Sequence, residues 1–530
     1  MASTCHPALS AARGLFILAF CVFLPAGLHP GLMAQRTDQP QGIRSKPSTS
    51  WALTGARIQV SPERVIDKGT VLVEAGKILA VGAGIEIPAH AAKIDLSGST
   101  LYPGFFDAYE PLDIARDEGK KGAAYWNTAI RPQLRAADHL SRDDGLNSKL
   151  RAQGITARLL APRGAILQGA GVLLSTADKD PALTILRSEA SQHLRLTAPP
   201  GGGRGSYPNS PMGSVALARQ AFYDAAWYAE AWDAYKADPG LPRPEKNHAL
   251  EKLKSYPGSG RLVIADGINE LYSLRADRFA REFNLRLALL GSGQEYRRLD
   301  EVRATGRSFI LPLNFPMPPN VGTAEVALEA SLRELMHWDM APENPARLAR
   351  AGVPIAFTTN GLEGRGGFLG AVRKAVTRGL SKKDALAALT VTPAGLFGVA
   401  DELGTIEKGK IATFFVSSGD IFADDTKVTE TWIAGERYRV VLPPLEDLRG
   451  RWDIRISSAS PGRLIMEIAG APENLSGNFE LPGKKKDQPE EKKGRKKKKK
   501  KGASKDAAES AEKSRLAHLG LRDARFSCVF

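Results

Sequence analysis

The chain has 530 residues, 43% of them hydrophobic and 25% charged, with a formal net charge of +15. That length holds one large domain with smaller companions, or two to four domains, and excludes a small disulfide-stapled fold. From Lys484 to Lys501 twelve basic residues face three acids, a local excess of nine positive charges that leaves the rest of the chain only mildly basic.

The first 34 residues carry the pattern of an export signal: Arg13, an apolar run from Leu15 to Leu24, and a small residue at Ala34 before Gln35. Pro25, Gly27, Pro30 and Gly31 interrupt the run, which is too short to span a bilayer comfortably. The expected location is periplasmic, cell-envelope or secreted. Loss of the signal removes Cys5 and Cys21 and leaves Cys528 alone, so no internal disulfide or thiol metal site is expected.

Residues 35–50 are polar and read as a linker. Trp51 to Val60 is strand-like, and the apolar runs on either side of Ala75-Gly76 form a hairpin signal. The stretch LYPGFFDAYEPL (101–112) then turns at Pro103-Gly104 and runs through Phe105 and Phe106 to Asp107. Short apolar strands follow at Ile155–Leu160, Leu262–Ala265, Leu285–Leu290, Phe309–Leu313 and Pro354–Thr358. Helix-like segments lie between them at Gly213–Lys236, Ser273–Phe283, Thr323–Trp338 and Pro345–Ala351. Such alternation predicts βα units and a parallel sheet. Roughly 300 residues of it fit a (β/α)8 barrel better than the alternative, an open doubly wound sheet. Residues 198–211, rich in Gly and Pro, form a long loop, either functional or an insertion. Ser381 to Asp384 has a capping-box pattern, and Pro393 is expected to end the helix behind it. After Pro443 two further strands are predicted, Trp452–Ser457 and Arg463–Ile468.

Two stretches carry a resemblance. The first is 101–112; the second combines LTVTPAGLFG (389–398) with LGTIEKGKIA (403–412). Together they resemble the amidohydrolase superfamily, in its imidazolonepropionase-like branch, over about residues 52–440. That resemblance implies an α/β fold, a (β/α)8 TIM-like barrel with a composite β-sandwich built from segments before and after it. The implied division is signal 1–34, linker 35–50, sandwich 51–100 and 400–442, and barrel 101–399. A short β segment at 443–482, a Lys-rich stretch at 483–515, expected to be disordered, and an end at 516–530 complete it.

The family uses zinc or another divalent metal to hydrolyse carbon–nitrogen bonds. Its first barrel strand reads Pro-Gly-aliphatic-aliphatic-Asp-x-His-x-His, and further histidines stand on strands five and six, with an aspartate on strand eight. Here Tyr109 and Pro111 occupy the two histidine positions, and Asn360 stands in place of the aspartate. Asn360 can serve as neither base nor strong ligand. Of His90, His139, His193, His248, His337 and His518, none follows a predicted barrel strand. The frame therefore implies a pseudoenzyme with no expected cofactor, binding a small molecule at the barrel mouth or supporting an active relative. Asp107, Glu110, Asp266 and Glu295 remain as candidate mouth carboxylates for an all-oxygen site in an active enzyme, or as capping and ion-pairing groups. A third reading gives the main role to Lys496, Lys497, Lys498, Lys499, Lys500 and Lys501 as a binder of polyanionic surfaces. Without interleaved aromatics, that run supports no sequence-specific nucleic-acid contact.

Overall fold

The computed structural model describes residues 50–114, 124–199, 207–441, 449–455, 463–471, 474–480, 518–522 and 525–529. The predicted export signal, most of the linker and the lysine run lie outside the described residues. Five strands precede the barrel: β1 (Ser50–Gln59), β2 (Val65–Glu74), β3 (Lys77–Gly82), β4 (Ala92–Asp95) and β5 (Thr100–Pro103). Eight strands then make one sheet: β6 (Phe105–Asp113), β7 (Ile155–Arg163), β8 (Leu167–Ser175), β9 (Ile185–Leu194), β10 (Leu262–Asp266), β11 (Arg286–Leu290), β12 (Ser308–Pro312) and β13 (Ile355–Thr358). Three more follow: β14 (Phe414–Ser417), β15 (Val428–Ile433) and β16 (Glu436–Arg439).

The eight-stranded sheet is nearly closed into a TIM-like barrel. Its order runs from β13 back to β6, and side-chain hydrogen bonds join the two edge strands. The Thr358 hydroxyl donates to the Tyr109 carbonyl, and the Thr359 backbone N–H donates to Asp107 Oδ1 at 3.0 Å. Alternate residues explain the closure. Phe106, Ala108, Leu159, Ile264, Ala288, Ile310 and Ala356 pack together as the barrel interior. Their neighbours Phe105, Val263, Leu289, Phe309 and Phe357 pack outward against helix residues such as Leu217, Phe222 and Phe279. Strands buried on both faces read as continuous apolar runs, which is why their positions were legible.

The barrel departs from the expected (β/α)8 pattern at one strand. β8 runs antiparallel to both β7 and β9. Only three residues separate β7 from β8, and Gly164 there has φ +94. So short a connection makes a hairpin, because a parallel return needs a crossover of a dozen residues or more. Neither β8 nor β9 was anticipated. Gly169, Gly171, Ser191, Gln192 and His193 break the apolar runs by which buried strands are recognised.

The helices match the reading more closely. Those of the barrel region are α1 (Asp144–Arg151), α2 (Pro211–Ala237), α3 (His248–Leu253), α4 (Glu270–Glu282), α5 (Leu299–Thr305), α6 (Ala324–Glu329), α7 (Leu332–Met340) and α8 (Asn344–Arg350). The predicted helix at Thr323–Trp338 is split, because Ser331 and Glu334 form a capping box that starts α7 afresh. α9 (Phe368–Thr377), α10 (Lys382–Leu389) and α11 (Val391–Leu396) follow the barrel strands. Pro393 does not end a helix; the break falls at Thr390, and Pro393 sits in the first turn of α11, where a missing N–H costs nothing.

Strands from both flanks of the barrel share a second sheet, ordered β16-β15-β14-β5-β1-β2-β3 with β4 beside β1. Leu53, Ile58, Val71, Leu101, Phe414, Val416 and Trp432 form its core. Two hairpin turns meet face to face there. A Cβ on Gly76 would lie 2.7 Å from the Ala434 carbonyl oxygen, so only glycine permits the approach. The stretch 403–412 stitches the halves together: Ile406 N–H donates to Val60 O at 2.9 Å and Ala412 N–H to Gly76 O at 2.8 Å. Further along, Gly450–Arg455, Arg463–Ala471 and Asn474–Glu480 form a three-stranded antiparallel sheet, one strand more than predicted. No helix among the described residues is long and apolar enough to cross a membrane.

Candidate functional site at the barrel mouth

In a barrel of this kind, side chains at the C-terminal strand ends face the mouth. β6 brings Asp107 to Pro111 there. A Cβ on the preceding Gly104 would lie 2.1 Å from Thr156 Oγ1, so the Pro103-Gly104 turn is what lets β6 enter against β7. Asp107 is fully buried and accepts from the Thr359 N–H and hydroxyl. Burial pushes its carboxyl above the usual range, and the threonine hydrogen bonds oppose that. These contacts make Asp107 the bolt across the barrel seam.

Glu110 is held by two guanidinium groups. Arg158 Nη1 donates to Glu110 Oε2 at 2.8 Å, and Arg365 Nη1 stands 2.8 Å from Oε1 without hydrogen-bond alignment. The Glu110 and Arg158 side chains are 7% and 8% exposed. Asp266 ends β10, where burial raises its carboxyl pKa and the Arg195 charge opposes the rise. The Arg195 Nε is 3.7 Å from Asp266 Oδ2 and donates to Thr197 Oγ1 at 2.8 Å. Glu295 is fully buried and accepts from Ser292 N–H at 2.6 Å, the Ser292 hydroxyl at 3.0 Å and Asn344 Nδ2 at 2.7 Å. It caps the loop after β11. Each of the four candidate carboxylates is thus engaged with threonine, arginine, serine or asparagine. Asn360 is half-buried, and its backbone N–H donates to Thr358 Oγ1 at 3.0 Å. Pro111 pairs in register with Ala161 on β7.

One residue corrects the sequence reading. His193 lies on β9, a barrel strand, and is 2% exposed. Its Nε2 is 2.9 Å from Ser191 Oγ, and its ring centroid is 5.8 Å from that of Tyr109. Burial lowers its pKa to about 3, so the imidazole stays neutral. The Tyr109 phenol is pushed up, first by burial and then by the Asp266 charge. The alternation Ser191, His193, Arg195 was the available signal, and it went unread because β9 itself was not recognised.

The donor set does not fit a divalent metal. Zinc sites gather three or four N, O or S donors. Among the described residues no three His, Cys, Asp or Glu side chains come together in that way. His193 has Ser191 and Tyr109 as neighbours, and guanidinium groups already face Glu110 and Asp266. Lys496 to Lys501 lie outside the described residues.

Comparison with known proteins gives the class. Residues 343–441 match the model of the amidohydrolase family. The chain is 25% identical over 393 residues to an imidazolonepropionase from Symbiobacterium thermophilum, across 67% of this chain and 84% of that one. Its fold is similar to the crystal structure of an amidohydrolase from Thermotoga maritima, with a TM-score of 0.63, 22% identity, and coverage of 73% of this chain and 99% of the other. The family-model match, the relative and the structural neighbour together support the amidohydrolase superfamily.

Proposed function

We propose that this chain is an exported amidohydrolase-family protein that has lost metal-dependent turnover and uses the scaffold, with its second sheet as the composite β-sandwich, to bind a small ligand or a partner. The observation that carries the reading is Glu110 between Tyr109 and Pro111. Where the family places two histidines around a metal, this chain has a phenol and a proline, and the carboxylate between them faces Arg158 and Arg365. Guanidinium groups supply the positive charge, and a guanidinium cannot ionise a bound water as a metal does. Export rests on the signal pattern of residues 1–34.

The test is elemental analysis of the purified protein after dialysis against a chelator. It is paired with an amidase, lactamase and dipeptidase screen that includes imidazolonepropionate, chosen from the relative's name. The expected result is substoichiometric metal and no turnover. Near-stoichiometric metal, or hydrolysis abolished by Asp266→Asn or Glu110→Gln, would overturn the proposal in favour of an active enzyme with an oxygen-ligand site. The lysine run supports a second, separable reading, attachment to a polyanionic surface through counterion release.

A further inference from the structure

A cleft of about 370 Å³ lies between α2 and α3, outside the barrel, and shares no residue with the mouth. Its floor is aromatic. Tyr228 and Trp232 stand one helical turn apart on α2, ring centroids 6.2 Å apart at 67°. Tyr228 is buried, whereas Trp232 keeps part of its surface open. The indole Nε1 of Trp232 is shielded from solvent and has no acceptor in the protein.

The rim is cationic, and its charges are unevenly matched. Lys236 pairs with Asp233 at 2.9 Å, and Lys254 pairs with Glu251 at 2.9 Å. Lys246 lines the cleft and has no carboxylate partner among the described residues. Arg243 lies over the Trp232 ring, 5.7 Å from its centroid, and likewise has no carboxylate partner among the described residues. An aromatic surface and one unmatched cation, Lys246, therefore line one concavity, with Arg243 over the Trp232 ring beside it.

We propose that this cleft binds a small aromatic carboxylate. The ring lies against Trp232 and Tyr228, where aromatic pairs gain from offset or edge contact. The carboxylate takes the charge of Lys246. Size sets the class, since this volume is near the lower end of the roughly 300–1,000 Å³ found for ligand pockets. Charge sets it too, because with Lys236 and Lys254 neutralised the excess suits a singly charged ligand rather than a polyanion.

The probe is 2-naphthoate, titrated calorimetrically into the full-length chain. The expected result is saturable one-to-one binding, weakened about tenfold in Lys246→Gln and about as much when neutral 2-naphthalenemethanol replaces the acid, as expected when one charged hydrogen bond is lost. Trp232→Leu is expected to abolish it. Lys246 is exposed, so its variant should fold, and an unchanged melting curve checks this. No saturable heat, or equal affinity in wild type and Lys246→Gln, overturns the proposal. Competition by inorganic phosphate at the same concentration also overturns it, by revealing a plain anion site. The metal content of the mouth has no bearing on any of these outcomes.

Discussion

His193 shows how far burial alone sets a side chain's chemistry. Its imidazole pKa is lowered to about 3, so the folded protein refuses a proton that the unfolded chain accepts below about pH 6.5. The unfolded state then binds more protons between those values, and stability is lost as pH falls through that window. By pH 5 the loss is about 2 kcal/mol. Asp107 has the opposite sign: its raised pKa keeps a proton on the folded state, and stability is lost as pH rises above the ordinary carboxylate value. Comparing wild type with His193→Gln cancels the Asp107 contribution. The variant should lose about 2 kcal/mol less between pH 7 and pH 5 in urea unfolding. Asn360 makes a second case at this scale. Asn360→Asp should restore no hydrolysis on its own, because a base without a metal-bound water has nothing it can deprotonate efficiently near neutral pH. Adding Tyr109→His and Pro111→His should give at most labile zinc uptake, read by a chromogenic chelator, since no imidazole stands at the ends of β10 and β11.

Between elements, the ion pairs of β6 and β7 decide the local energetics. Arg158 is 8% exposed at the side chain, and its Nη1 donates to Glu110. Glu110→Ala leaves that guanidinium buried and uncompensated, and should cost about 3–5 kcal/mol in chemical unfolding. The double variant Glu110→Leu, Arg158→Met replaces both charges with apolar bulk and should recover most of that loss. A double variant as unstable as Glu110→Ala would show that Arg365 and the surrounding backbone need the carboxylate itself. The crossover after β12 is organised differently. α6 and α7 bury no residue and expose Leu328 and Leu332, so Leu328→Ala and Leu332→Ala should be nearly silent in the same assay.

For the whole molecule, most of the net positive charge is concentrated in one run of the sequence. The twelve basic residues between Lys484 and Lys501 lie outside the described residues, whereas the barrel and second sheet have their own apolar cores. Deleting residues 484–501 should leave thermal unfolding unchanged and abolish salt-sensitive retention on heparin. Retention equal to wild type would remove the case for the lysine run as a polyanion binder.

The sequence by itself determined the barrel strands that are apolar on both faces, the Pro103-Gly104 entry and the N-cap at Ser381. These are local facts, written in short runs of residues whose side chains have one physical use. Tertiary structure alone decided the rest. β8 reversed because a three-residue connection cannot cross over, and polar-rich β9 became a barrel strand because its neighbours cover it. His193 therefore reached the mouth unannounced. The roles of Asp107, Glu110, Asp266 and Glu295 were equally undetermined in one dimension. A carboxylate's chemistry depends on which partner folding brings to it, and here those partners are Thr359, Arg158, Arg195 and Asn344, between 48 and 252 residues away along the chain.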